Sequence, residues 1–144
     1  MTELKPVFTV SELNEYVDLM LSRDPFMGEL TVTGEISAFK RHTSGHLYFT
    51  LKDDNASVRC VMFRPNALRL SFFPKDGMSV RIEGRAGLYG RDGSFQVYAE
   101  HMEKTCIAKV RLLSTAKATD RVFDYLCPWE LPVFRGAVVK IPFG

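Results

Sequence analysis

The chain has 144 residues, 46% of them hydrophobic and 25% charged, which is the composition of one soluble globular domain with a short appendage and too little for two full cores. Its 19 Lys and Arg against 17 Asp and Glu leave a formal charge of only +2, so it is no polycation and any nucleic-acid site must come from local clustering of charge. Cys60, Cys106 and Cys127 are odd in number, widely spaced and without a C-x-x-C pair, which argues against a disulfide framework and against a zinc site. Cys60 lies in an apolar alternation and reads as a small buried hydrophobe. The charged segment Met1–Pro6 lacks the apolar run of a signal peptide, and no stretch reaches the length of a membrane span. A reducing, cytoplasmic location and no membrane partner are expected.

The first predicted element is a helix within residues 1–24. Thr9 followed by Glu12 fits a capping box, in which each side chain satisfies a backbone donor at the helix start. Val10, Leu13, Val17 and Leu21 recur at helical spacing with Met20 beside them, and Glu12, Glu15, Asp18 and Ser22 form the polar face. The helix ends at Asp24-Pro25, because the residue before proline avoids the helical region. The apolar face is expected to cover one side of the adjoining sheet.

From Gly28 the period changes from helix to strand. Leu30, Val32 and Ile36 alternate with Thr31, Thr33 and Glu35, with Gly34 marking a bulge or tight bend. Leu47, Phe49 and Leu51 alternate with Tyr48, Thr50 and Lys52 in a second strand, closed by the turn Asp53-Asp54-Asn55. Val58, Cys60 and Met62 alternate with Arg59, Val61 and Phe63 in a third. Pro65 to Leu70 reads as one or two helical turns, with Pro65 first, where its missing donor costs least. After the turn Lys75-Asp76-Gly77, a fourth strand presents Val80, Ile82, Gly84 and Ala86 on one face and continues toward Tyr89. Beyond Gly90-Arg91-Asp92-Gly93, the fifth sets Phe95, Val97 and Ala99 against Gln96, Tyr98 and Glu100.

Three strands, a short helix and two strands predict an all-β, five-stranded OB-fold barrel over residues 25–104, since five short strands left flat would expose two edges. Gly34 and Gly84 suit the coiling of so small a barrel. An SH3-like barrel has a similar strand count and stays open as an alternative. After Lys104 the pattern decays. Lys109–Leu126 has the length for a short helix but an irregular apolar stripe, Pro128, Pro132 and Pro142 break the remaining segment, and Val138-Val139 suits an edge strand.

The run from Gly34 to Asp53 (GEISAFKRHTSGHLYFTLKD) resembles the exonuclease VII large subunit. Arg59–Ala67 (RCVMFRPNA), Asp76-Gly77-Met78 and the opening Phe8–Asn14 (FTVSELN) are similar to the same family, so the likeness extends from about Val7 to about Lys104. The resemblance implies an OB-fold that grips single-stranded DNA ahead of a catalytic portion. In that family the large subunit is much longer, works with several copies of a small helical subunit, and degrades single-stranded DNA to oligonucleotides without requiring a divalent metal. Residues 105–144 depart from the family pattern, and a truncation or a frame shift near Thr105-Cys106 is the expected reason.

Single-strand binding needs cations along the phosphates and flat side chains beneath the bases. The loop after the first strand supplies Lys40, Arg41, His42, Ser44 and His46 at the position of one OB-fold framing loop. Tyr89 and Arg91 belong to the other. Between them, Tyr48 and Phe63 are the stacking candidates, with Lys52, Arg59 and Arg64 as phosphate contacts. Each has a plain structural alternative: Lys40 and Arg41 as a solvated loop, Tyr48 as cross-strand packing, Phe63 tucked beneath the short helix, Arg59 paired with Glu83 or Glu35, and Arg91 as decoration beside Asp92.

His42 and His46 flank Ser44-Gly45 with no third ligand, so no metal is expected, and His101 alone at a strand end reads as structural. Asp53 and Asp54 are adjacent in a turn and need not converge, and no nucleophile or phosphate-loop motif appears. No catalytic residue and no cofactor are assigned. The leading reading is a binding module for single-stranded DNA. A fragment that still joins a nuclease assembly and a peptide-binding OB groove are the alternatives.

Overall fold

The structure, a computed structural model, describes residues 5–111 and 122–127, with side chains through residue 105. Two units divide the chain, Met1–Glu103 and Lys104–Gly144. The first begins with α1 (Val10–Arg23) and continues through β1 (Leu30–Arg41), β2 (Leu47–Lys52), β3 (Ser57–Met62), α2 (Arg64–Ala67), β4 (Ser79–Tyr89) and β5 (Ser94–Lys104). The five strands close into a barrel in the order β1-β2-β3-β5-β4. β1–β2, β2–β3 and β1–β4 are antiparallel, whereas β3 and β5 run parallel, with Arg59, Cys60 and Val61 opposite Gln96, Val97 and Tyr98. This is the closure of an OB-fold, with the short helix between the third and fourth strands where the element order places it.

The core is made of the predicted alternating residues. Ile36, Phe49, Leu51, Cys60, Met62, Val80 and Ile82 are all buried inside the barrel. Burial pushes the Cys60 thiol up to about 12, so it stays protonated and packs as an inert hydrophobe. Two inward and outward assignments differ from the alternation. Phe95 is 47% exposed, because β5 pairs with β3 only from Gln96 onward and its first residues project past the ladder. Val61, assigned outward, is buried: the parallel pairing sets Tyr98 directly beside it and Tyr48 on its other flank.

Gly34 and Gly84 serve close approach. A Cβ on Gly84 would collide with the Tyr98 carbonyl, and one on Gly34 would lie 2.8 Å from both the Leu51 side chain and the Lys52 carbonyl oxygen. The bend in β1 comes further along. Between Ser37, opposite Thr50, and Lys40, opposite Tyr48, β1 carries one residue more than β2, and Ala38 takes a left-handed φ of 50°. This is a β-bulge, and it reverses the facing of every residue after it. Without it, Lys40 would share the inward parity of Ile36.

The capping box of α1 is present: the Thr9 hydroxyl accepts from Glu12 N and Glu12 Oε2 accepts from Thr9 N at 2.7 Å. The expected burial of its apolar face is not. No residue of α1 is buried, and Val10 is 78% exposed. The helix meets the barrel along half-buried Asn14, Val17, Asp18 and Leu21, so Val17 and Leu21 of the expected face take part while Val10 and Leu13 stay exposed. Leu88 N donates to Asp18 Oδ1 at 2.9 Å, and Asn14 Nδ2 reaches the Gly90 carbonyl at 3.4 Å. Asp18, assigned to the solvent face, turns inward because the Leu88 amide needs an acceptor.

In the second unit, β6 (Cys106–Arg111) and β7 (Val122–Cys127) pair antiparallel in a register running from Cys106 opposite Cys127 to Arg111 opposite Val122. The two ends of the span considered for a short helix, 109–111 and 122–126, are therefore strand, in keeping with their β-branched and aromatic content, and residues 112–121 lie outside the described residues. The proposed edge strand at Val138-Val139 lies outside the described residues. Among the described residues no helix is long and apolar enough to cross a membrane, and no three His, Cys, Asp or Glu side chains converge as a metal site.

Gly84→Ala is expected to lower the unfolding free energy by at least about 1–3 kcal/mol in urea titrations, the cost of overpacking a rigid approach. Ala38→Val should lose a comparable amount, about 1–3 kcal/mol, because a β-branched residue tolerates the left-handed region worst, while Ala38→Gly should not.

Three exposed carboxyls sit below their usual range. The Thr9 backbone amide lowers Glu12, the Asn55 amide lowers Asp53, and the Ser94 hydroxyl, then its amide, lowers Asp92. Because the folded values lie below the unfolded ones, their stabilisation is complete above the carboxylate range and is lost as pH falls through it. Thermal midpoints should hold steady from neutral pH down to about pH 5 and drop below about pH 4. Asp53→Ala should flatten part of that acid limb.

Candidate nucleic-acid interface

The parallel β3–β5 pairing and the β1 bulge together line up residues across four strands. Lys40 pairs with Tyr48, Tyr48 with Val61, and Val61 with Tyr98, so one outward row reads Lys40, Tyr48, Val61, Tyr98. The next row reads Thr50, Arg59, Gln96. These rows floor a groove of about 630 Å³ that is closed at its margins by Phe63, Tyr89, Asp92 and Ser94. Val61 is the apolar floor, and the aromatics rise on either side of it.

The aromatic rings are held in place by their neighbours. Phe63 stacks on Tyr98 with centroids 5.8 Å apart and planes within 17°, so it faces the groove and does not tuck under α2. The Arg85 guanidinium lies 4.5 Å from the centre of the Tyr98 ring. Partial burial raises the Tyr98 hydroxyl above its usual value, against the pull of Arg85, so it remains a neutral phenol at physiological pH. Tyr48 and Phe63 are each 42% exposed and Tyr89 is similar, which leaves their faces open to a ligand.

The framing loops are fixed by their own hydrogen bonds. In the β1–β2 loop, His42 N donates to the His46 carbonyl, Gly45 N to the His42 carbonyl and Ser44 N to His42 Nδ1, at 2.9, 2.9 and 3.2 Å. Gly45, at φ 89°, makes the turn, and a Cβ there would press on the Arg64 side chain at 3.1 Å. In the β4–β5 turn, the Ser94 amide and hydroxyl both donate to Asp92 Oδ1, at 2.9 and 2.6 Å, and Gly93 N donates to the Tyr89 carbonyl. Asn14 of α1 buttresses the same turn at Gly90.

Of the residues singled out from sequence, Lys40, Tyr48, Arg59, Phe63 and Tyr89 converge on the groove. Arg41, His42, Ser44 and Arg64 instead line a neighbouring cavity on the far side of the β1–β2 loop. His46 is half-buried: its Nδ1 accepts from Arg64 N at 2.9 Å and its ring meets Phe63 edge-on at 5.3 Å, so it positions Phe63 and the start of α2. Lys52 pairs with Glu35 at 3.5 Å and does not line the groove, and Arg91 stands on the turn outside it. Arg59 pairs with neither Glu83 nor Glu35. Glu83 is held by Arg81, and Arg59 acts on Asp92 only through its charge.

Sequence reasoning missed Tyr98, Gln96 and Arg85. The outward parity of Gln96 and Tyr98 was visible, but their place in the groove depends on β5 lying beside β3. Among the described residues Lys40, Arg41, Arg59 and Arg64 form no ion pair, whereas Arg81 is held by both Glu83 and Glu103. Two other clefts of the barrel are lined by glutamates, Glu83 and Glu100 in both, Glu29 in one and Glu103 beside Arg69 in the other.

Residues 8–103 match the model of a family described as "OB-fold nucleic acid binding domain". Among curated proteins, the exodeoxyribonuclease 7 large subunit of Alkaliphilus oremlandii is 39% identical over 142 residues, covering 94% of this chain and 35% of that protein. The protein of the same name from Clostridium beijerinckii is 41% identical over 142 residues, covering 94% and 36%. These alignments extend past Lys104 into the segment set apart in the sequence, and the chain spans about one third of the length of these relatives. Among solved structures, a replication protein A heterotrimer bound to single-stranded DNA is 14% identical with a TM-score of 0.43, covering 53% of this chain and 56% of that one. A closed five-stranded barrel whose matched residues include both framing loops thus belongs to the OB-fold nucleic acid binding domain family, and it is similar to exodeoxyribonuclease 7 large subunits over about one third of their length.

Proposed function

We propose that this barrel binds single-stranded DNA, with little sequence preference, in the groove that runs from Lys40 to Tyr98. The observation that carries the reading is the aromatic series Tyr48, Phe63, Tyr98 and Tyr89 around an apolar floor, with Lys40 and Arg59, which form no salt bridge among the described residues, beside it. A ring face accepts any base, and stacking contributes about 1–3 kcal/mol per base. A duplex keeps its base faces stacked on each other, so such a platform favours unpaired strands. Lys40 and Arg59 reach the phosphates, while Gln96 and Thr50 supply neutral hydrogen-bonding groups along the floor.

In this reading the barrel holds the substrate strand for a longer, cytoplasmic exodeoxyribonuclease 7 large subunit. Hydrolysis and the partnership with a small subunit are assigned to that whole protein, and this chain by itself supplies grip.

Fluorescence anisotropy with a labelled oligonucleotide at two salt concentrations tests the proposal. Affinity should fall steeply with salt, because phosphate contacts release counterions. Tyr48→Ala should weaken binding by about fivefold to a hundredfold, as expected for one lost stack. Lys40→Ala with Arg59→Ala should weaken it and flatten the salt slope by about 0.7 per contact removed. Lys52→Ala, at an ion-paired residue off the groove, should change neither. Undiminished affinity in the Tyr48 variant would sink the proposal.

A further inference from the structure

The cavity on the far side of the β1–β2 loop has the same chemistry as the groove and lies against its end. It encloses about 420 Å³ between that loop, α2 and residues 68–74. Its cations are Arg41 and Arg64, neither of them ion-paired among the described residues, and no carboxylate lines it. Phe73 is 58% exposed, with the Arg41 guanidinium 5.9 Å from its ring centre. Two other clefts of the barrel each carry two or more glutamates, so a polyanion leaving the groove is attracted more strongly here than there.

The two sites share a wall. His42 lines the cavity and meets the ring of Tyr48 in the groove edge-on at 6.3 Å, while Phe63 of the groove is followed directly by Arg64 of the cavity. Strand alternation separates them, and the bulge at Ala38 sets which is which: β1 sends Lys40 to the groove and Arg41 to the cavity. The wall itself is stiffened by the His46–Arg64 hydrogen bond and the close fit of Gly45 on Arg64, so both faces are preformed.

We propose that this cavity is a second nucleotide subsite, in which the strand that leaves the groove past Tyr48 and Phe63 crosses the β1–β2 loop. The next phosphate then sits between Arg41 and Arg64, and the following base stacks on Phe73. The inference rests on the single-strand reading of the groove and extends the footprint beyond it. Arg41 and Arg64, grouped with the groove residues by sequence, thereby act at a separate position on the strand.

Oligothymidylates of about four and about eight nucleotides, within the range of single OB-fold site sizes, separate the two positions. Chemical-shift titrations measure both affinities even when they are weak. The eight-mer should bind more tightly than the four-mer, and only the eight-mer should shift the amides of residues 68–73. Phe73→Ala should weaken eight-mer binding by at least about fivefold, leave the four-mer unchanged, and be rescued by Phe73→Trp. Arg64→Ala should do the same, with Arg64→Lys retaining part of the affinity.

If Phe73→Ala weakens neither oligonucleotide, or both equally, the subsite is refuted while the groove reading stands. If neither oligonucleotide binds the unaltered protein, the groove reading fails and takes the subsite with it. Retained thermal midpoints in the variants confirm that the comparison is between folded proteins.

Discussion

The parallel pairing of β3 with β5 is the constraint on which the interface depends. It brings the two non-sequential halves of the barrel together and sets Tyr98 beside Val61, which in turn lies beside Tyr48. Removing that pairing would leave two unrelated aromatic residues on separate hairpins. With it, a tyrosine from each half flanks one buried valine, and Phe63 from the end of β3 stacks on the second of them. The same closure supplies the core, because Cys60 and Val97 are opposite one another one residue away, facing inward. Fold stability and ligand-binding geometry therefore use the two faces of one ladder.

Local devices then aim individual side chains. The Ala38 bulge turns Lys40 onto the groove face and Arg41 away from it, so one extra residue assigns two adjacent cations to two different sites. Gly84 lets β4 approach the Tyr98 backbone closely enough to place Arg85 over the Tyr98 ring. The framing loops close on themselves through His42, Gly45, Asp92 and Ser94, so little ordering is left for a ligand to impose. Asp92 is the one carboxylate among the groove-lining residues, and its hydrogen bonds to Ser94 explain why a negative charge is kept there: it holds the turn that presents Tyr89.

The helix α1 is joined to the barrel by polar contacts as well as by half-buried Val17 and Leu21. Asp18 satisfies the Leu88 amide and Asn14 reaches the β4–β5 turn, so the helix acts as a brace for the second framing loop more than as a lid on the core. Its capping box and its stop at Asp24 are local, and both arise from residues within a few positions of each other. Its orientation against β4 is a tertiary choice made by hydrogen-bonding groups, which an apolar periodicity cannot anticipate.

Period-two alternation, turn residues and a capped helix were enough to establish five strands, two helices and a barrel, because each of those signals is carried by neighbours in the chain. They also identified Lys40, Tyr48, Arg59, Phe63 and Tyr89 as outward or loop residues of the right chemistry. Which outward residues share a surface was left undetermined. Tyr98 and Gln96 have the same local pattern as Glu100, yet only the first two line the groove, because β5 meets β3 over Gln96–Tyr98. Lys52 and Arg59 look alike as strand cations, yet Glu35 lies across from one and not the other. Lys40 and Arg41 alternate in facing as any strand neighbours do, yet only the bulge decides that Lys40 is the one on the groove. Local order along the chain was thus written in the amino-acid sequence, whereas the assembly of a binding surface from distant segments was decided by strand pairing and register, which depend on contacts between residues far apart in the chain.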